Sequence, residues 1–84
     1  MNLLFAPEAW EDYQYWQNGD KKTLKRVNRL IDETRRNPFE GIGKPEPLKG
    51  DKRGYWSRRI TDEHRFVYKA EGDTLKIAQL RFHY

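Results

Sequence analysis

Two short segments of this 84-residue chain carry side chains able to move protons at a phosphate. One is Pro45-Glu46-Pro47, a carboxylate between two prolines that restrain the backbone. The other is Arg81-Phe82-His83-Tyr84, which sets a cation, an imidazole and a phenol close together. Imidazole changes charge near neutral pH, so His83 can give or take a proton there. Arg59 and Arg65 offer forked donors that match two phosphate oxygens at once, and Lys49 follows Glu46 by three residues. These parts suit RNA cleavage without a metal. A base takes the ribose 2′-hydroxyl proton, the oxygen attacks the adjacent phosphate, and an acid protonates the departing 5′-oxygen. A fixed cation stabilises the charge that builds up in between. On that scheme Glu46 is the base, His83 the acid, and Arg65 with Arg59 holds the phosphate. Tyr84 either bonds the phosphate or orients His83. Strict strand alternation would send His83 and Tyr84 to opposite faces, so either the terminus leaves regular geometry or only one of them acts. Each residue also has a plainer reading: Glu46 as a loop carboxylate balancing Lys44 or Lys49, the arginines as cross-strand partners of acids. His64, beside Asp62-Glu63 near a turn, is given a structural role.

The surrounding charge points the same way. The chain carries 17 Lys and Arg against 13 Asp and Glu, a net charge of +4. Positions 1–43 and 70–84 are each balanced, so the whole excess falls in 44–69, which holds eight basic and four acidic residues. Tyr55, Trp56, Phe66 and Tyr68 interleave with those cations. Such a stretch suits a nucleic-acid surface, cations meeting phosphates and rings stacking on bases. Lys49, Arg58, Arg59 and Trp56 are its candidate RNA contacts, with burial against helices the competing expectation for Trp56. No cysteine is present, which excludes disulfides and thiolate metal sites. Two histidines without ligand spacing argue against zinc. No apolar run is long enough for a membrane span, and the first residues lack a signal-peptide pattern. The expectation is a cytoplasmic protein with no cofactor and no membrane association.

Elements must position these groups. The length suits one domain over 1–84 with a small, aromatic-rich core. Leu3-Leu4-Phe5 reads as a short buried strand. Pro7 opens a helix in which Trp10, Tyr13 and Trp16 form an apolar stripe directed at the core. Asn18-Gly19-Asp20 breaks it, and Asp20 caps a second helix whose apolar face is Leu24, Val27, Leu30, Ile31 and Thr34. Arg35-Arg36 and Pro38 end that helix. Residues 37–53, with three prolines and three glycines, form a long loop that Leu48 either anchors or turns into a short strand. Three strands follow at 55–60, 64–70 and 74–82, with turns at 61–63 and 71–73 that imply an antiparallel meander. The fold class is α+β: two N-terminal helices on one face of a twisted, largely antiparallel sheet, the other face open and carrying arginines.

Several blocks together resemble a known family. Gly-Lys-Pro-Glu-Pro-Leu-Lys (43–49), Trp-Ser-Arg-Arg-Ile-Thr (56–61), Glu-His-Arg-Phe-Val-Tyr (63–68) and Arg-Phe-His-Tyr (81–84) are similar to the YoeB-type toxins of bacterial toxin–antitoxin modules. Trp-Glu-Asp-Tyr-Gln-Tyr-Trp (10–16) and Asp-Glu-Thr-Arg-Arg-Asn-Pro-Phe-Glu-Gly (32–41) agree, so the similarity runs the full length. The resemblance implies a RelE-like, microbial-RNase-type fold that enters the ribosomal A site on the 30S subunit, with 50S contact, and cleaves the messenger RNA there. It implies Glu46 as general base, His83 as general acid, Arg65 as the phosphate-stabilising group, and Arg59, Lys49 and Tyr84 in support. It also implies a YefM-type antitoxin and a capacity to dimerise. The alternative is a non-catalytic RelE-like interaction protein, such as a gyrase poison or a ribosome-binding module, which has no need of the Glu46, Arg65 and His83 set.

Overall fold

A computed structural model describes residues 1–83 of the chain. Helix α1 runs Pro7–Gln17 and starts on Pro7, whose fixed φ suits a first turn. Its buried face is Ala9 and Trp16, with Tyr13 half-buried beside them. Trp10 departs from the expected core stripe. Positions 10 and 16 lie about 120° apart around a helix, so one stripe cannot bury both. Trp10 is 46% exposed and stacks on Tyr13 at the rim, ring centroids 5.8 Å apart. Helix α2, Lys21–Arg36, is capped by Asp20 as expected. The Asp20 carboxylate accepts from the Thr23 hydroxyl at 2.6 Å and the Lys22 amide at 3.1 Å. Those bonds, the Thr23 hydroxyl first, hold its carboxyl below the ordinary value. Thr23, Val27, Leu30, Ile31 and Thr34 form the buried face, and Leu24 sits at its margin.

The helices cover one face of a five-stranded sheet: β1 Asn2–Phe5, β2 Glu46–Pro47, β3 Trp56–Arg59, β4 Arg65–Glu71 and β5 Thr74–Gln79, in spatial order β1-β5-β4-β3-β2. Strands β2 to β5 pair antiparallel, and β1 pairs parallel with β5. The meander is the one the turn residues implied. The parallel pair arises because both helices intervene before the chain returns to the sheet. β1 is not the buried strand expected from Leu3-Leu4-Phe5. It forms a sheet edge, with Leu3 39% and Leu4 54% exposed. Phe66, Tyr68, Leu75 and Ile77 from the sheet meet Trp16, Val27 and Leu30 from the helices in the core. No described helix is long and apolar enough to cross a membrane.

The long loop is ordered by a buried cation. Arg58 is fully buried. Its guanidinium donates to the carbonyls of Asn37 at 2.6 Å, Glu40 at 2.9 Å and Ile42 at 3.1 Å, and its Nε donates to the Tyr68 hydroxyl at 3.1 Å. The Tyr68 hydroxyl in turn donates to the Pro38 carbonyl at 2.7 Å. Gly43 lets this loop close. Its φ is +82°, and a Cβ there would come within 2.9 Å of Leu30 and 3.0 Å of Arg58. The Gly43 carbonyl accepts from the Arg59 amide at 2.7 Å, which delivers the chain to Glu46 at the edge of β3. Leu48 is buried and anchors the loop beyond β2.

Candidate active site

Successive side chains on a strand point to opposite faces, and that rule divides the basic stretch. Trp56 and Arg58 lie opposite Tyr68 and Phe66, on the face the helices cover. Ser57 and Arg59 lie opposite Val67 and Arg65, on the open face. Arg58 and Trp56, expected as RNA contacts, are therefore corrected. Arg58 spends its donors on loop carbonyls, and Trp56 is half-buried against Phe39, centroids 4.9 Å apart. Arg59 is exposed on the open face, as an RNA contact requires.

The pairings bring the other candidates onto that same face. Glu46 pairs with Ser57, Ser57 with Val67, and Val67 with Gln79, forming one row across four strands. Arg59 and Arg65 form the next row. Gln79 reaches this face through a register shift between Val67 and Tyr68: Tyr68 pairs with Ile77 and Val67 with Gln79, leaving Ala78 as the extra residue of a bulge. An unbroken register would have turned Gln79 toward the helices. Glu46 is exposed at the β2 end of the row, and Lys49 is exposed just before the 3-10 turn Gly50–Lys52.

Arg65 is 9% exposed and fixed by the turn before it. Its Nη1 donates to the carbonyls of Thr61 at 2.7 Å, His64 at 3.1 Å and Asp62 at 3.2 Å, which leaves Nε and Nη2 outside these three bonds.

Regular structure ends at Gln79, three residues before the expected end of the last strand. Side chains then secure the terminal segment. Asp12 and Trp16, one turn apart on α1, bind both polar groups of Leu80: the Leu80 amide donates to the Asp12 carboxylate at 3.0 Å, and the Trp16 indole donates to the Leu80 carbonyl at 2.8 Å. Gln79 donates to the Arg81 carbonyl at 2.7 Å and the Phe82 carbonyl at 3.1 Å. The Arg81 guanidinium lies 3.6 Å from the Tyr15 ring centroid. Phe82 has φ +62°, a left-handed conformation that costs a bulky residue about 1–3 kcal/mol. It is held by its amide donating to His64 Nδ1 at 2.8 Å and its carbonyl accepting from the Arg65 amide at 3.0 Å. The terminus thus leaves regular geometry, one of the two routes the alternation rule had allowed. Tyr84 lies outside the described residues.

An open groove of about 740 Å³ runs beside this segment, lined among others by His83, Phe82, Gln79, Val67, Tyr55 and Lys52. His83 approaches the open-face row from the β5 end and Glu46 from the β2 end, with Arg65 on the neighbouring row. Glu46, Lys49, Arg59 and Arg65 do not themselves line the groove, whose described lining also includes Glu8, Asp12 and Asp51. Among the described residues, no three His, Cys, Asp or Glu side chains gather as a metal site would need. Sequence reasoning missed Gln79 and the Asp12–Trp16 clamp. The last had a signal, an acid and an indole four residues apart on one helix, but nothing in the sequence showed what they would grip.

Comparison with known proteins bears on this surface. The model of the YoeB-like toxin of bacterial type II toxin–antitoxin systems matches residues 5–84. The toxin YoeB of Escherichia coli K12 is 57% identical over 84 residues, covering all of both chains. A solved structure of a YoeB/ParE toxin from Agrobacterium tumefaciens superposes with TM-score 0.97 at 52% identity, covering all of both chains. YoeB of Staphylococcus aureus, solved in complex with YefM, gives TM-score 0.92 at 48% identity over 100% of this chain and 98% of its own, and that toxin has also been solved as a dimer.

Proposed function

This chain belongs to the YoeB-like toxins of bacterial type II toxin–antitoxin systems, and on that premise we propose that it is a ribosome-dependent endoribonuclease that cleaves messenger RNA in the A site. The observation that supports this reading best is the open face. There Glu46, Arg59 and Arg65 share neighbouring cross-strand rows, and His83 lines the groove at their end. Glu46 takes the 2′-hydroxyl proton, and His83 protonates the 5′-oxygen that leaves. Arg65, its guanidinium already fixed by three carbonyls, needs no reorganisation to receive the charge on the phosphate. Arg59 and Lys49 hold flanking phosphates, and Tyr84 supports His83. The atoms balance without a metal: the proton taken at one end is matched by the proton given at the other, and the new 2′-oxygen–phosphorus bond replaces the 5′-oxygen–phosphorus bond. The toxin acts in the cytoplasm, where ribosomes are. Its partners are a YefM-type antitoxin and a second copy of itself, as in the S. aureus relative.

Toeprinting on ribosomes programmed with a defined message tests the reading. The wild-type chain is expected to give a cut inside the A-site codon, and Glu46→Gln to leave the message whole. A stalled ribosome carrying uncut message with both proteins would indicate a ribosome-binding module instead.

A further inference from the structure

His64 carries no role in the proposed chemistry, yet it holds the residue that precedes the proposed acid. We propose that His64 is a positioning residue: its neutral imidazole, accepting the Phe82 amide at Nδ1, fixes the left-handed turn that aims His83 into the groove. The inference deepens the functional reading above and rests on it.

Four observations carry it. The acceptor is a ring nitrogen at 2.8 Å, so Nδ1 must be unprotonated and the ring proton must sit on Nε2. Phe82, which makes this bond, takes φ +62°, a conformation that side chains rarely adopt unless their surroundings impose it. The His64 ring is itself immobilised, edge-on to Trp16 with centroids 5.0 Å apart and against Phe82 at 5.9 Å. Its backbone is fixed too: the His64 amide donates to the Thr61 hydroxyl at 3.2 Å, and its carbonyl accepts from Ile60 and from Arg65 Nη1. Consecutive residues therefore grip the two backbone groups of one residue, Phe82: the His64 ring takes its N–H and the Arg65 amide its C=O. The proposed phosphate ligand and the proposed acid are coupled through Phe82, with His64 closing the link.

The link is sensitive to protonation. A proton on Nδ1 removes the lone pair that the Phe82 amide uses, and the bond cannot form. The charged and titratable groups beside His64 in the chain are Asp62 and Glu63 on the same turn and Arg65 on β4, and Phe82, which it holds, is flanked by Arg81 and His83. From α1, Asp12 sits one turn before Trp16, which presents an uncharged ring.

Two substitutions separate the acceptor from the ring. His64→Asn places an amide oxygen where Nδ1 stood and does not titrate. His64→Phe keeps a ring against Trp16 and removes the acceptor. Single-turnover cleavage on programmed ribosomes is expected to fall on the order of 10- to 100-fold in His64→Phe, at unchanged half-saturating toxin concentration. In His64→Asn it should stay within about threefold of wild type at neutral pH. Nitrogen-15 NMR of the full-length toxin supplies a readout independent of cleavage. Wild-type His64 should show the Nε2–H tautomer, and the Phe82 amide should shift with the same midpoint as the His64 ring. In His64→Asn the Phe82 amide should not follow that titration. Wild-type cleavage by His64→Phe, an equal loss in His64→Asn, or a proton on Nδ1 in the neutral ring would each overturn the proposal. If the wild-type chain did not cleave at all, the functional reading would fall while the NMR arm still decided whether His64 holds the turn.

Discussion

Arg58 and Arg59 are neighbours of the same chemistry with opposite fates, and the difference is one step of strand alternation. Arg59 faces solvent on the open side. Arg59→Ala should change stability by no more than about 0.5 kcal/mol and lower the salt slope of RNA or ribosome binding by about one ion. Arg58→Ala would leave the carbonyls of Asn37, Glu40 and Ile42 without their donor. These bonds are part-buried and water can replace some of them, so at about 1–3 kcal/mol for a polar group left unpaired urea denaturation should show a loss of at least about 1 kcal/mol, and RNA contact would suffer only through unfolding. Lysine cannot substitute, since its point charge does not reach several carbonyls at fixed angles as the planar fork does. The residue types of the candidate site were legible in the sequence: the carboxylate between prolines, the paired arginines, the imidazole near the end. Their partition between faces was legible in principle, because Trp56-Ser57-Arg58-Arg59 on a strand must alternate. What the sequence could not show was which pair would face the helices, since that depends on register with β4.

Between residue and molecule, the loop from α2 to β2 decides where Glu46 stands, and Tyr68 is its clasp. Burial, partly offset by the Arg58 guanidinium, raises the Tyr68 phenol above the ordinary value. The folded state therefore keeps this proton at pH values where the unfolded chain has lost it. The resulting stability is fully present below the ordinary tyrosine pKa and disappears as pH rises through the folded value. Unfolding free energy measured from about pH 8 to about pH 11 should fall with a component that Tyr68→Phe abolishes. At neutral pH the same substitution should cost about 1–3 kcal/mol, because it strands the Arg58 Nε and the Pro38 carbonyl. The helices, their break at Asn18-Gly19-Asp20 and the meander were legible from caps, periodicity and turn residues. The bulge at Ala78 and the early end of β5 were not. Both are set by contacts far apart in sequence, such as Asp12 and Trp16 on Leu80, that no local pattern encodes.

Across the whole molecule, charge and fold coincide: the basic segment 44–69 supplies β3 and β4, and its outward face is the candidate site. RNA or ribosome binding should therefore weaken steeply with salt as phosphate contacts release counterions. A flexible antitoxin segment that offers carboxylates to the same face, and buries apolar side chains as it orders, should bind with a shallower salt dependence. Arg59 and Arg65 NMR signals should shift when antitoxin binds. Unchanged signals from both would place the antitoxin elsewhere and make inhibition a steric block to ribosome entry. The measurement that bears most directly on the central claim is the chemistry of the cut ends left by the purified toxin on programmed ribosomes. Attack by the 2′-oxygen with Glu46 as base and His83 as acid leaves a 2′,3′-cyclic or 3′-phosphate on one fragment and a 5′-hydroxyl on the other, at rates that Glu46→Gln and His83→Ala each lower by about 10²–10⁴-fold. A 5′-phosphate on the downstream fragment would contradict the account, because it requires water or hydroxide, not the ribose, to have attacked the phosphate.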